Sequence, residues 1–144
     1  MAEGSVPAPY ALALVVCDNL HRDFGTGKVT ILSTFSNMIS RTFPFTHPII
    51  CVYAALTSGR GKGKLKIVLS DVDDEGPVLR EMFCDVDFVD PIAVLEVCVG
   101  MPMIQFPSPG DYRLQIYFEE TFLMERRIIV LDGNKLNELN NNPG

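Results

Sequence analysis

Cysteine and histidine residues form two mirror-image pairs in the first part of the chain. Three residues separate Cys17 from His21, and three separate His47 from Cys51. Together they have the composition of a Cys2His2 zinc site, whose ligands lie ~2.0–2.3 Å from one ion. Because four residues of extended chain span about 13 Å, each pair needs an internal turn. Asp18 and Asn19 suit a turn in the first pair, but Pro48 and the apolar run after it oppose a turn in the second. The alternative, which we favour, is two loop histidines beside two buried thiols.

An acidic stretch in the middle of the chain has the start of a calcium-binding loop. Asp71, Asp73 and Glu75 occupy alternate positions before Gly76, as in an EF-hand loop. The last position of such a loop carries a bidentate glutamate, but here it is Met82. Acidic loops at the rim of a β-sheet protein bind calcium in other geometries. The alternative, which we favour, is a solvated acidic turn.

The sequence contains no catalytic constellation and no cofactor motif. It lacks the Gly-x-Ser-x-Gly turn of α/β-hydrolases, and it has only two histidines to serve as bases. Residues 25–28 lack both the earlier glycine and the following Ser or Thr of a P-loop. We therefore expect a protein that is not an enzyme and that uses no cofactor.

Apolar residues beside prolines are the candidates for an interface. Proline keeps such segments at sheet edges or outside the ladders, and the five residues are Phe43, Phe45, Met101, Met103 and Phe106. If exposed, they form a patch suited to a protein partner or to a contact between two copies of the chain. The alternative is that they fill the open ends of the folded body.

Composition and charge limit the classes of partner. A chain of 144 residues corresponds to one domain, and 47% hydrophobic with 21% charged residues is typical of a globular one. A net charge of −6 repels phosphate groups, so we expect no nucleic acid and no membrane as partner. Residues 1–9 contain no Lys or Arg, unlike the start of a signal peptide. This favours a cytoplasmic protein whose four cysteines are free.

Short runs of alternating hydrophobicity, separated by Gly, Pro and Asp, are the dominant pattern. In residues 64–72, Leu65, Ile67 and Leu69 face one way, whereas Lys64 and Lys66 face the other. A period of two is typical of a strand with one buried face. The runs are 10–17, 28–36, 48–57, 64–72, 78–88, 92–99, 111–119 and 122–131.

These runs predict an all-β domain. Closely spaced strands without helices between them favour antiparallel pairing in a two-sheet β-sandwich, immunoglobulin-like, of about eight strands. The domain is expected over residues 10–131, after an N-terminal extension, 1–9, and before a polar C-terminal tail, 132–144. The last two runs are expected to form one hairpin.

Several short motifs follow one another in a characteristic order along the chain, at residues 11–18, 22–23, 26–28, 43–44, 47–48, 52–53, 56–57, 106–107, 109–110 and 124–127. In these motifs the chain resembles small uncharacterised bacterial proteins, a domain of unknown function frequent in planctomycetes, over roughly residues 10–131. No activity is known to us for that family, so the resemblance implies no functional residues.

One arginine is expected to face the core. The alternation set by Ile128 and Val130 points Arg126 inward, where an unpaired guanidinium is costly. We predict that Arg126 forms an ion pair with Asp18 or Asp23, or that a bulge turns it outward.

Two function classes fit these residues. The first is a non-enzymatic interaction or accessory module that binds a protein partner or forms a homo-oligomer. The alternative is a β-sandwich that binds a small ligand or a metal ion, calcium or zinc, through loops at one end. An apolar exposed face favours the first class, and convergent carboxylate, histidine or cysteine groups favour the second.

Overall fold

Strands make up most of the chain. The computed structural model describes residues 8–72 and 77–140, and these contain nine strands and one short helix. In chain order they are β1 Tyr10–Arg22, β2 Val29–Thr34, β3 Asn37–Ser40, β4 Phe45–Thr57, β5 Gly61–Asp71, β6 Val78–Phe88, β7 Leu95–Phe106, β8 Gly110–Phe118, β9 Thr121–Asp132 and α1 Gly133–Asn140.

The strands form two sheets. Strand order is β2-β1-β4-β7 in the four-stranded sheet and β3-β9-β8-β5-β6 in the five-stranded sheet. The pairs are antiparallel, including the predicted hairpin of β8 and β9, except that β3 runs parallel to β9. The prediction of an all-β protein with two sheets is confirmed. The five-stranded sheet curls like half of a barrel, and the immunoglobulin-like arrangement stays a prediction.

The additional strand, β3, follows directly after the predicted run 28–36. Strand β2 pairs with β1, whereas β3 pairs with β9 in the other sheet. Between them, the amide of Phe35 donates to the carbonyl of Val16 at 3.2 Å, and the carbonyl of Ser36 accepts from the amide of Ile129 at 2.9 Å. Adjacent residues thus bond to different sheets, so the chain crosses between the sheets at Phe35 and Ser36. We call these two residues the crossing segment.

The core lies between the two sheets and follows the predicted alternation. Leu65 and Ile67 of β5 are fully buried, as are Phe118 and Ile116 opposite them in β8. Burying each such side chain contributes roughly 1.5–3 kcal/mol. Among the described residues no charged side chain is buried in this way. The core is therefore apolar, and polar side chains lie at the seams and on the outer faces.

Two arginines bridge the sheets at two different seams. At the seam of β9 and β1, Arg126 donates from Nη1 to the carbonyl of Leu14 at 3.3 Å and from Nη2 to Oγ of Ser36 at 3.0 Å. At the seam of β6 and β7, Arg80 donates from Nη2 to the carbonyl of Pro102 at 2.8 Å. Each guanidinium thus satisfies oxygens that belong to strand edges or to the crossing segment.

The inward orientation predicted for Arg126 is confirmed, since it lies opposite a buried leucine of β8. The predicted ion pair with Asp18 or Asp23 is not formed. The carboxylate of Asp23 accepts from both the amide and the hydroxyl of Thr26, at 2.8 and 2.7 Å, which lowers its pKa. Asp18 lies beside His47 instead. Arg126 therefore donates to neutral oxygens, the carbonyl of Leu14 and Oγ of Ser36, and not to the predicted carboxylate.

The predicted tail contains a helix in its first part. Strand β9 continues to Asp132, whose Oδ1 accepts from the amide of Asn134 at 2.9 Å. This bond caps the N-terminus of α1, so residues 133–140 of the predicted polar tail form a helix. Residues 1–7 and 141–144 lie outside the described residues. No helix in the described ranges is long and apolar enough to cross a membrane.

Candidate interaction surface

A row of aromatic and cationic side chains crosses the outer face of the five-stranded sheet. Lys66 of β5 lies opposite Phe83 of β6 on one side and Tyr117 of β8 on the other, and Tyr117 lies opposite Phe122 of β9. The Nζ of Lys66 is 4.7 Å from the centre of the Tyr117 ring, and the rings of Tyr117 and Phe122 meet edge-on at 5.7 Å. Phe83 is 59% exposed and Phe122 51%. We call these four residues the aromatic row.

Hydrogen bonds beside the aromatic row fix the position of its central ring. The hydroxyl of Tyr117 donates to Oε1 of Gln115 at 3.0 Å, and Nε2 of Gln115 donates to Oε1 of Glu125 at 2.9 Å. Glu125 also lies 3.7 Å from the guanidinium of Arg113. Because Tyr117 is already held in place, its side chain would lose little conformational freedom on binding a partner.

Acidic residues lie on the same outer face of β6. Asp85 lies opposite Lys64 and Asp87 opposite Lys62, and Glu81 follows on the other side of the aromatic row. The predicted alternation of β6 is confirmed, since Val86 and Phe88 are buried while these acids are exposed. The outer face of β6 therefore presents carboxylates around one aromatic ring.

A groove of about 600 Å³ lies next to this face, lined by Lys62, Gly63, Lys64, Asp85, Val86, Asp87 and Glu119. Its floor requires glycine, because a Cβ at Gly63 would approach the ring of Phe118 to 2.3 Å. The carboxylate of Glu119 accepts from the amide of Lys64 at 2.8 Å. The groove as a whole has charges of both signs, but they are separated by strand, since Lys62 and Lys64 lie on β5 whereas Asp85 and Asp87 lie on β6.

The four residues of the zinc hypothesis do not converge. Cys17 and Cys51 are opposite each other on β1 and β4 and are buried free thiols. His47 lies with Nε2 3.7 Å from Oδ1 of Asp18, whereas His21 is exposed near the end of β1. Within residues 8–72 and 77–140 no three His, Cys, Asp or Glu side chains are placed to hold a metal ion.

Burial controls the chemistry of the thiols. It is the largest cause of the raised pKa of Cys17, Cys51 and Cys84. The thiol of Cys17 donates to the carbonyl of Asn19 at 3.4 Å, and that of Cys51 to the carbonyl of Asp18 at 3.6 Å. All three thiols are therefore protonated at neutral pH, and those of Cys17 and Cys51 are also hydrogen-bonded.

The calcium hypothesis falls mostly on residues that the structure does not describe. Asp71 is the last residue of β5, while Asp73 and Glu75 lie outside the described residues. The calcium site stays a prediction.

The five interface candidates lie mostly in the core. Met101 and Phe106 are fully buried, so neither is available to a partner. Phe43 and Phe45 are half-buried against the core, where Phe45 stacks on Phe106 at 6.1 Å. Met103 is 64% exposed and has a φ of 52°, which reverses the alternation of β7 so that Phe106 as well as Met101 faces inward. Four of the five thus follow the alternative interpretation, in which they fill the body.

A polar cluster on the outer face of the four-stranded sheet was not predicted. Tyr53 donates a short hydrogen bond to the carboxylate of Glu96, and this bond is the largest cause that raises the pKa of Tyr53 to about 12. Arg22 donates to the carbonyl of Glu96 at 3.2 Å and contacts Sγ of Cys98 at 3.6 Å. The register of β4 with β7 sets Tyr53 opposite Cys98, a long-range pairing that the sequence alone does not show.

The aromatic row was also missed, although the sequence carried a signal for it. Phe83 lies on the face of its run that carries the acids, and Tyr117 lies on the face with Gln115. A single exposed apolar residue is common, whereas several that adjoin on one face form the kind of patch that marks an interaction surface.

A family model matches residues 12–131, which is nearly the whole β body. The chain belongs to DUF6941, a family of unknown function. This confirms the resemblance found in the sequence. The comparison with curated proteins finds no match.

The chain is similar to solved structures of a β-glucosidase from Listeria innocua. The complex with glucose has a TM-score of 0.43 at 9% identity, and the complex with isofagomine has 0.42 at 10%. The alignments cover 85% and 84% of this chain but only 16% of each β-glucosidase chain. The TM-scores are too low to carry an argument about fold or function.

Proposed function

We propose that this DUF6941 domain is a non-enzymatic interaction module, and that it binds a protein partner through the outer face of its five-stranded sheet. The observation that carries the proposal is the aromatic row, in which Phe83 and Phe122 expose about half of their surface at either end. Lys66 and Tyr117 connect these two rings across neighbouring strands.

The composition and rigidity of this face support a protein partner. Aromatic anchors dominate the binding energy of protein interfaces because each buries a large area at a small cost in side-chain entropy. Tyr117 is already held by Gln115, by Phe122 and by the Lys66 ammonium. The net charge of −6 opposes the alternatives of nucleic acid and of anionic lipid.

Quantitative co-purification tests the proposal. The tagged protein, expressed in its source cells, is compared with the variant Phe83→Ser/Phe122→Ser and with Phe24→Ser, whose side chain is fully exposed in the turn after β1. We expect a protein that the wild type and Phe24→Ser retain equally and that the double variant loses. Equal retention by all three proteins would refute the proposal.

A second candidate, small-ligand binding, rests on a cavity of about 240 Å³ near the crossing segment. Its walls combine aromatic side chains with a carboxylate and an imidazole, the mixture that orients small ligands. They are Asp18, Phe35, Asn37, Met38, Ile39, Phe45 and His47. Fragment screening by NMR tests this candidate. A fragment that binds this cavity is expected to shift the His47 resonances, whereas a fragment that binds elsewhere on the protein is not.

The proposal also includes a cytoplasmic location and an immunoglobulin-like arrangement of the two sheets. Four free cysteines support a reducing compartment, as expected for a bacterial cytoplasmic protein. Two sheets around one apolar core support an immunoglobulin-like sandwich as the arrangement to test by an experimental structure.

A further inference from the structure

Strand β6 is a long sheet edge. It pairs with β5 along most of its eleven residues. In the described residues no strand is hydrogen-bonded through the backbone to its other side, where β7 of the other sheet lies across the seam. An open edge of this length presents a row of amide and carbonyl groups that an extended segment can pair with. Arg80 crosses to β7 from the core-facing side of β6, so it leaves the outer face clear.

The side chains along this edge define the chemistry of such a segment. Glu81, Phe83, Asp85 and Asp87 alternate along the outer face. In an antiparallel ladder, directly opposed side chains lie about 4.5–5.5 Å apart and opposite charges stabilise the pair. A segment that pairs with β6 is therefore expected to carry Lys or Arg opposite the three acids and an apolar residue opposite Phe83.

A second copy of β6 fits this edge poorly. When two copies of β6 pair antiparallel with their cores on the same side, centring on Phe83 sets Glu81 opposite Asp85, and centring on Cys84 sets Glu81 opposite Asp87. Like charges directly opposed in a ladder are destabilising. Centring on Met82 opposes no two acids but sets Glu81 opposite Phe83. Because the outer face of β6 carries no Lys or Arg, no self-paired register sets a cation opposite these acids, whereas a basic segment of another chain does.

We propose that a basic, extended segment of another protein adds to β6 as an antiparallel strand and reaches Phe83 at the end of the aromatic row. This inference rests on the proposed interaction function and names the chemistry of the partner. Backbone hydrogen bonds supply the affinity, and the alternation of acids and ring supplies the selectivity.

A designed peptide tests the inference directly. The probe is acetyl-Lys-Val-Lys-Thr-Leu-Val-Lys-amide, which sets its lysines opposite Asp87, Asp85 and Glu81 and its leucine opposite Phe83. Binding at physiological salt is followed by NMR on the 15N-labelled full chain. We expect saturable shifts of amides 78–88. Replacing the peptide's threonine by proline, which removes one donor at the same charge, is expected to weaken binding about fivefold.

Variants of the protein separate strand addition from simple charge attraction. Asp85→Lys/Asp87→Lys is expected to weaken binding about tenfold, whereas the control Asp111→Lys, at the other end of the sheet, changes it less than about twofold. Strand addition is refuted if the proline peptide binds as tightly as its parent, or if the basic peptide does not bind. Shifts confined to β8 and β9 would refute it too, while leaving the proposed function standing. Loss of the co-purified partner remains the separate test of that function.

Discussion

Arg126 of β9 donates a hydrogen bond from Nη1 to the carbonyl oxygen of Leu14 in β1, at 3.3 Å. The two residues belong to different sheets, so this bond joins the sheets at one seam. The other amino group of the guanidinium donates to Oγ of Ser36 at 3.0 Å and to the carbonyl of Phe35 at 3.5 Å. One side chain thus connects β9, the part of β1 that β2 does not cover, and the crossing segment.

Removing this guanidinium is expected to destabilise the domain. Arg126→Ala leaves the part-buried carbonyl of Leu14 without its donor, which lowers the free energy of unfolding by about 2 kcal/mol. The matched control is Arg127→Ala on the same strand, where a side chain that is 62% exposed contributes less than about 0.5 kcal/mol. Urea unfolding measures both, and equal losses would contradict the bridging role of Arg126.

Gly63→Ala is expected to disturb the floor of the groove. Its Cβ would approach the buried ring of Phe118 to 2.3 Å, and this ring is packed edge-on against Phe88 at 5.8 Å. Overpacking of this kind costs about 1–3 kcal/mol of unfolding free energy. In the control, Gly25→Ala, the nearest atom is 3.6 Å away, so thermal unfolding is expected to show little change. A neutral Gly63→Ala would show that Phe118 has room to move.

Tyr53 is expected to ionise only well above pH 10. Its hydrogen bond to Glu96 raises its pKa from 10.0 to about 12, because the phenolate would face a carboxylate. The folded state therefore holds this proton more tightly than the unfolded state. The resulting stabilisation is complete below pH 10 and is lost as the pH rises towards 12.

Absorbance at 295 nm and urea unfolding at several pH values check this expectation. Tyr53→Phe removes an ionisation step near pH 12, and its stability falls less than that of the wild type between pH 10 and 12. Glu96→Gln is expected to move the Tyr53 step to lower pH. If Tyr53→Phe leaves the absorbance change above pH 10 the same as in the wild type, the hydrogen bond is contradicted.

The thiols are expected to alkylate in the order of their burial. Cys17 and Cys51 are buried, so they react with iodoacetamide only after unfolding. Cys84 and Cys98 are half-buried and are expected to react first. Timed labelling read by peptide mass spectrometry gives the order. Rapid labelling of Cys17 in the folded protein would contradict the arrangement.

The parts of the fold that follow from local alternation were predictable. Leu65 and Ile67 face the core as their period of two requires, and the inward orientation of Arg126 followed from its neighbours on β9. The crossing at Phe35 and Ser36 was not, because it depends on which distant strand each residue bonds to. Long-range register has no signature in a single run of residues.

The candidate surface was only partly predictable, for the same reason. Phe83 and Tyr117 stand out in the sequence as large rings on polar faces, but their alignment with Lys66 requires the order β6-β5-β8. One predicted interface residue is buried for a local reason, since the positive φ of Met103 turns Phe106 into the core. A single backbone conformation thus moved this residue from the expected surface to the interior.

Site-specific photo-crosslinking in the source cells tests the central claim most directly. Phe83, Phe122 and, as control, Phe24 are each replaced by p-benzoylphenylalanine, which keeps an aromatic ring at each position. The interaction account predicts one protein crosslinked from both Phe83 and Phe122 and not from Phe24. The same adducts from all three positions, or none from Phe83 and Phe122, would contradict it.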